Sequence, residues 1–109
     1  MNTSNFDDLV KDVLEKARVT RIEKGRDYAG TEDVLGNFKK RAERLGLSPI
    51  KVWGLYFGKH IDAIETFVKT ENLTSEPIEM RIVDAINYLL LGYALINESK
   101  SEKKEESWK

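Results

Sequence analysis

The segment RIVDAINYLLLGYALI, residues 81–96, constrains the fold more than any other part of the chain. Its apolar residues lie on nearly all sides of a helix, which is typical of a helix that is buried all round. Arg81, Asp84 and Asn87 nevertheless recur every three residues, so one stripe of this helix carries a cation, an anion and an amide. Burying such groups is costly unless they are paired. The stripe is either an internal clamp that fixes helix docking or a surface that faces a ligand.

The bulk composition restricts the class of protein. The 109 residues suffice for one domain with a single hydrophobic core. Lys and Arg number 18 and Asp and Glu 19, and the resulting net charge of -1 argues against a partner of duplex nucleic acid. There is no cysteine, which excludes disulfides and thiolate metal sites. The acidic N-terminus is unlike a signal peptide, and no apolar run is long enough to span a bilayer, so we expect a cytoplasmic protein with no membrane partner.

Four segments with the three-to-four spacing of amphipathic helices, and no alternating strand pattern, predict an all-α fold. We expect a four-helix bundle-like single domain over residues 1–98. The predicted helices run from Ser4 to about Glu23, from a cap at Thr31 to Gly46, from a cap at Ser48 through Pro49 to about Lys69, and from Ser75 and Pro77 to about Asn97. One domain of this size can hardly cover the fourth helix, so we also expect a dimer or larger homo-oligomer. Residues 99–109 carry charges without periodicity and are predicted to be a disordered tail.

The predicted third helix carries a second group of polar side chains. Asp62 and Glu65 are three residues apart, so both carboxylates can converge on one point. His60 lies within the apolar face, where the alternative to a ligand contact is a histidine satisfied by the core. Lys59 lies beside Asp62, and the alternative to a ligand contact of Lys59 is a solvated ion pair between these two residues.

Two glycines of this helix, Gly54 and Gly58, lie one turn apart. Glycine lacks a Cβ, so this spacing permits close approach of a neighbouring helix. They could equally be tolerated weak points, because glycine costs about 1 kcal/mol in a helix interior. The sequence leaves both interpretations open.

The segment EKGRDYAGTED, residues 23–33, is predicted to be a loop that mixes Lys24, Arg26 and Tyr28 with two glycines. Such a loop can place backbone N–H groups, two cations and an aromatic ring around a nucleotide. The alternative is an ordinary connection between helices, since the segment contains no Walker-type motif.

Several short motifs, taken in order, resemble a known family: DYAG, NF, LGLSP, KHIDAIETF and EPIEMRIVDAINYLL. They are similar to small phage-encoded helical proteins of the nucleotide-modification-associated, MazG-like branch of the all-α NTP pyrophosphatases. In MazG-like enzymes, one helix carries Glu-x-x-Glu and a later helix carries Glu-x-x-Asp, and together these residues bind Mg²⁺ beside a triphosphate. The resemblance covers residues 23–96 and implies a MazG-like helical scaffold.

Only some of the family's metal ligands have counterparts at the matching positions of this chain. The resemblance implies that Asp62 and Glu65 stand for the first acidic pair and Asp84 for the final Asp. Arg81 occupies the place of the remaining carboxylate. A guanidinium there removes one ligand for Mg²⁺, which prefers carboxylate and water oxygens, and adds a positive charge.

A cation at this place favours direct contact with phosphate, because the planar fork of arginine meets two phosphate oxygens at once. Other cations and aromatic rings could join it. The predicted ligand-binding residues are Lys24, Arg26, Tyr28, Trp53, Tyr56, Lys59, His60, Arg81, Asp84 and Tyr88.

Three hypotheses follow, and the sequence leaves open whether the protein is an enzyme. The first is a phage-type protein, in the host cytoplasm, that binds or sequesters a nucleotide or a nucleotide-derived immune signal and requires no cofactor for binding. The second is an Mg²⁺-dependent pyrophosphatase that converts an NTP to NMP and pyrophosphate, with Asp62, Glu65 and Asp84 as metal ligands. The third is a structural or protein-interaction module.

Overall fold

The computed structural model describes residues 1–27, 33–72 and 76–107, except for the side chains of residues 26–27 and 103–107. Within these ranges the chain forms four helices and no strand: α1 (Thr3–Asp27), α2 (Gly36–Leu45), α3 (Pro49–Thr70) and α4 (Ile78–Ser107). The all-α prediction is therefore confirmed. No helix in the described part of the chain is both long enough and apolar enough to cross a membrane.

The first two helices begin differently from the prediction: Asn2 caps α1, and within the described ranges no side chain caps α2. Asn2, not Ser4, caps α1, and its Oδ1 accepts a hydrogen bond of 2.8 Å from the backbone N–H three residues later. Thr31, the predicted cap of the second helix, lies outside the described residues. Closer to α2, Asp33 Oδ1 accepts a hydrogen bond of 2.9 Å from the backbone N–H of Leu35.

The connection between α2 and α3 has the predicted chemistry. Gly46 follows α2 in the left-handed conformation, with φ of 66°, which glycine adopts without strain. Ser48 then caps α3, and its hydroxyl accepts a hydrogen bond from the backbone N–H of Lys51. Pro49 occupies the first helical position, where its missing N–H would have no partner within the helix.

Helix α1 is longer than the sequence predicted, since it continues past Glu23 to Asp27. Lys24 is therefore helical, three residues after Arg21, and does not belong to a loop. Its ammonium lies 3.1 Å from a carboxylate oxygen of Asp84 on α4. We attribute the extension to this long-range ion pair, which holds the last turn against α4.

Helix α4 is also longer than predicted and continues past Asn97 to Ser107. Residues 99–107 are rich in Lys and Glu, which are good helix formers although they show no apolar periodicity. At the start of this extension, Glu98 pairs with Lys39, with 2.5 Å between Nζ and Oε1. Disorder of residues 99–109 in solution stays a prediction.

Helix α4 is the centre of the arrangement. It packs against α1 and α3, and α2 packs on α3. The main core contains Leu35, Phe38, Ala42, Val52 and Leu95. The chain measures 53 × 31 × 27 Å with a radius of gyration of 16.7 Å, against about 13 Å for a compact domain of this length. The four helices thus form an elongated, open bundle.

The tightest helix contact at a glycine lies at Gly92, not at Gly54 or Gly58. A Cβ atom on Gly92 would lie 2.5 Å from Cζ2 of Trp53, whereas one on either of the α3 glycines would meet nothing within 4 Å. The Trp53 indole N–H donates a hydrogen bond of 2.6 Å to the carbonyl of Tyr88. The indole therefore lies directly on the backbone of α4, and only glycine leaves room for it.

Candidate functional site

The polar stripe predicted on α4 lies at the junction of α1, α3 and α4. We call this region the α1–α4 polar cluster, and its members are Arg21, Lys24, His60, Glu76, Arg81, Asp84 and Asn87. The predicted ligand residues that lie in the cluster or against it are Lys24, His60, Arg81, Asp84 and Tyr88. The sequence left open whether Lys24 meets the third and fourth helices, and the structure brings these five residues to one junction.

The buried end of the stripe is an internal clamp. Asn87 is 7% exposed, and its Oδ1 accepts a hydrogen bond of 2.9 Å from Nη1 of Arg21. Its Nδ2 donates a hydrogen bond of 3.1 Å to the carbonyl of Ala17. Both ends of the amide are thus satisfied by α1, as buried polar groups require. This part of the stripe fixes how α1 docks on α4.

Asp84 precedes Asn87 by three residues in the stripe and is the next member of the cluster. Its side chain is only 13% exposed, and Nζ of Lys24 lies 3.1 Å from its Oδ1. Because the carboxylate is largely removed from water, this attraction is stronger than that of a pair on the open surface. Lys24 itself remains 55% exposed. The pair therefore presents a cation that a molecule from solution can reach.

Arg81 lies at the outer end of the stripe and pairs with Glu76. Its Nε is 3.0 Å from Oε1 of Glu76, and the two side chains are 24% and 36% exposed. The two atoms meet without the alignment of a hydrogen bond, and neither has a hydrogen-bond partner among the described residues. The two atoms are buried, although the side chains that carry them are partly exposed.

His60 of α3 lies against the same cluster. Its ring packs on Tyr88 with 4.5 Å between the ring centroids, and its buried Nδ1 has no hydrogen-bond partner among the described residues. Burial lowers the pKa of His60 below its ordinary value of 6.5; the nearby charge of Asp84 raises this pKa, and those of Arg81 and Lys24 lower it further. The imidazole is therefore neutral at pH 7. A buried imidazole nitrogen without a partner is a candidate contact for a ligand.

An aromatic group adjoins the cluster on the side of α2. Phe38 contacts both Tyr88 and Tyr56, with 6.3 and 6.5 Å between ring centroids. Two cations lie over the Tyr56 ring: Nζ of Lys59 at 5.6 Å and Cζ of Arg41 at 5.8 Å from its centroid. Both distances are those of cation–π contacts. The predicted residues Tyr56 and Lys59 thus lie together, and Phe38 connects them to Tyr88.

The remaining predicted ligand residues have other surroundings. Trp53 stacks on Phe57, with 5.0 Å between centroids and 9° between the ring planes. Together with its hydrogen bond to α4, this contact gives Trp53 a role in packing α3 on α4. Tyr28 and the side chain of Arg26 lie outside the described residues.

The predicted metal ligands do not converge. Asp62 and Glu65 are exposed on α3, and Asp84 is engaged with Lys24. Over the described ranges, no three side chains of His, Asp and Glu lie close enough to hold a metal ion together. Metal binding by Asp62, Glu65 and Asp84 stays a prediction of the family resemblance.

The sequence analysis overlooked four residues of this region: Arg21, Phe38, Arg41 and Glu76. Arg21 follows Ala17 by four residues on the apolar face of α1. A cation on a face that is predicted to be buried needs a partner, and that signal was present in the sequence. Arg41 lies over Tyr56 through a contact between α2 and α3. No local pattern indicates such a contact.

A comparison of the chain with protein-family models, with curated proteins and with solved structures found no match. The MazG-like resemblance therefore stays an expectation from short motifs.

Proposed function

We propose that the protein binds the phosphate groups of a nucleotide or nucleotide-derived small molecule at the α1–α4 polar cluster and holds that molecule intact. The observation that carries the proposal is the buried Nδ1 of His60, which has no partner among the described residues. The side chains of Lys24 and Arg81 act on this imidazole electrostatically. A phosphate oxygen here would meet cations that are partly removed from water, where charge-assisted hydrogen bonds are strong.

The charge balance of the cluster supports an anionic ligand. Arg21, Lys24 and Arg81 supply three positive charges, and Glu76 and Asp84 supply two negative ones. The sum is a formal charge of +1 while His60 is neutral. Protonation of the imidazole on binding would add a further positive charge. A bound phosphate would favour that charged form and raise the pKa of His60.

The neighbouring aromatic group supports a nucleotide over inorganic phosphate. Tyr56 and Tyr88 are partly buried and connected through Phe38. Aromatic side chains stack on bases of any sequence, and such stacking is worth about 1–3 kcal/mol per base. Lys59 over the Tyr56 ring adds a second cation for a further phosphate. The ligand we propose has a base and at least one phosphate.

The binding of an intact nucleotide is better supported than its hydrolysis. The Mg²⁺-dependent pyrophosphatase needs several carboxylates around one metal ion. Asp62 and Glu65 are exposed on α3, and Asp84 is paired with a lysine. Capture itself requires no cofactor, because the protein's own cations neutralise the phosphates. Hydrolysis is kept as an outcome of the experiment below.

The biological setting is proposed from the sequence resemblance alone. We propose a phage-type protein on a MazG-like scaffold that sequesters a nucleotide or a nucleotide-derived immune signal in the host cytoplasm. We also propose that it assembles as a homodimer or larger homo-oligomer, since the apolar surface of α4 exceeds what one chain covers.

The test is an incubation of the full chain with linear, cyclic and ADP-ribose-type nucleotides, in parallel with Mg²⁺ and with EDTA. The protein is filtered and denatured by heat, and both fractions are analysed by mass spectrometry. We expect an intact nucleotide in the protein fraction under both conditions. Monophosphate and pyrophosphate that appear in the filtrate only with Mg²⁺ would identify an enzyme, and recovery of no nucleotide would refute binding.

Two lysines of α1 provide a matched pair of variants. Lys24 and Lys16 each lie 3.1 Å from an aspartate oxygen, but Lys16 pairs with Asp12 on the exposed side of α1, away from the cluster. We expect Lys24→Gln to weaken nucleotide binding about tenfold, the loss of about one charge-assisted contact. Lys16→Gln should leave binding unchanged. Equal effects of the two substitutions would place the ligand elsewhere.

A further inference from the structure

A line of apolar and mostly exposed side chains runs along one side of α4. We call it the α4 seam: Ile82, Ile86, Leu89, Tyr93 and Ile96, spaced by four, three, four and three residues. This is the a/d spacing of a coiled coil, in which such positions pack against a second helix. Ile82 is 43%, Leu89 54%, Tyr93 73% and Ile96 46% exposed. The described part of one chain therefore leaves these four side chains exposed, whereas Ile86 is half-buried.

The two ends of the α4 seam carry opposite charges. In continuation of the same spacing, Glu79 precedes Ile82 by three residues and Lys100 follows Ile96 by four, and both charged side chains are exposed. Residues 85–97 contain no charge. Two copies of the seam in antiparallel orientation would place Glu79 of each copy near Lys100 of the other. A parallel pair would instead oppose like charges at both ends.

We propose that the α4 seam is the interface of a homodimer in which the two α4 helices pack antiparallel, with Leu89 at the two-fold axis. Ile82 of one copy then faces Ile96 of the other, and Ile86 faces Tyr93. A two-fold axis pairs a patch with an identical patch that runs in the opposite direction. The order of side chains along the seam fits such a pairing. This interface specifies the homo-oligomer proposed above, and its formation does not depend on nucleotide binding.

The single chain is elongated along its long helix α4. Its radius of gyration of 16.7 Å exceeds the roughly 13 Å of a compact domain of this length. Isolated exposed apolar residues are ordinary, but a contiguous set marks an interaction surface.

The first test is sedimentation equilibrium of the full chain. We expect the protein to sediment at about 25 kDa, twice the 12.5 kDa of one chain. Leu89→Glu should shift it to the monomer mass, since it brings two carboxylates together at the axis. Leu55→Glu, at a 61% exposed position on α3, is the control and should leave the dimer intact. A monomeric wild type, or a dimer that survives Leu89→Glu, would overturn the proposal.

Disulfide trapping tests the orientation, because the chain has no cysteine of its own. Leu89→Cys should form a crosslinked dimer on mild oxidation. Ile82→Cys alone should not, but a mixture of the Ile82→Cys and Ile96→Cys proteins should, since a disulfide forms only between close Cα atoms. Crosslinking of Ile82→Cys to itself would indicate a parallel pair. A monomer that still captures nucleotide would overturn the dimer and leave the proposed function intact.

Discussion

The contact between Gly92 and Trp53 makes a quantitative prediction about stability. In Gly92→Ala, the new Cβ would lie 2.5 Å from Cζ2 and 2.6 Å from Cε2 of the indole. Ordinary contacts between carbon atoms are about 3.5–4.0 Å, so the ring has to move by about 1 Å. That movement stretches the 2.6 Å hydrogen bond from the indole to the carbonyl of Tyr88 and disturbs the stack on Phe57. The substitution therefore damages the packing of α3 on α4.

The expected loss follows from three contributions. Overpacking of a core contact costs about 1–3 kcal/mol, and a buried N–H left without its acceptor costs about 1–3 kcal/mol. Replacing glycine by alanine stabilises the helix by about 1 kcal/mol, which offsets part of this loss. The free energy of unfolding should thus fall by about 3 kcal/mol, which corresponds to a decrease in Tm of about 15 °C for a domain of this size.

The assay is thermal unfolding followed by far-ultraviolet circular dichroism, with urea unfolding as a second measure. The controls are Gly54→Ala and Gly58→Ala on α3, where the new Cβ meets nothing within 4 Å. Each control should stabilise the protein by about 0.5–1 kcal/mol through helix propensity alone. If Gly92→Ala were as stable as the controls, the proposed close approach of Trp53 to α4 would be wrong.

Two further predictions concern protonation and backbone conformation. Burial lowers the pKa of His60 in the folded state, so the unfolded state binds this proton more readily. The contribution of His60 to the free energy of unfolding is therefore complete above about pH 6.5. It is lost as the pH falls toward the folded-state pKa. Urea unfolding at pH 7.5 and 5.5 should show a smaller pH dependence for His60→Gln than for the wild type, and an equal dependence would contradict the burial of the imidazole. Gly46 and Glu71 both have positive φ, 66° and 54°, so Gly46→Ala should destabilise and Glu71→Gly should stabilise the protein, each by about 1 kcal/mol in urea unfolding. A shift of both variants in the same direction would refute this reasoning.

The local elements of the fold could be predicted because their causes lie within a few residues. The apolar spacing gave four helices, and Gly46, Ser48 and Pro49 fixed the turn between α2 and α3 through their own backbone preferences. Helix lengths were less accurate. The last turn of α1 is held by the contact of Lys24 with Asp84, which no local pattern contains.

The candidate site was predictable for some of its members and not for their roles. The period of three on α4 identified Arg81, Asp84 and Asn87 as groups that need partners. The structure supports the clamp interpretation for Asn87, and the ligand interpretation of the stripe stays a prediction. Asn87 clamps α1 on α4, whereas Arg81 and the neighbouring His60 retain buried atoms without hydrogen-bond partners among the described residues.

The sequence by itself determined an all-α chain and a polar stripe on its most apolar helix. These features depend on periodicity and on the chemistry of single residues. Only the tertiary structure decided that Lys24 meets Asp84, that Arg21 meets Asn87, and that Gly92 rather than an α3 glycine admits a neighbouring ring. The physical reason is that periodicity specifies which face of a helix is buried but not which helix covers it. That choice is made by the packing of side chains that lie far apart in the sequence.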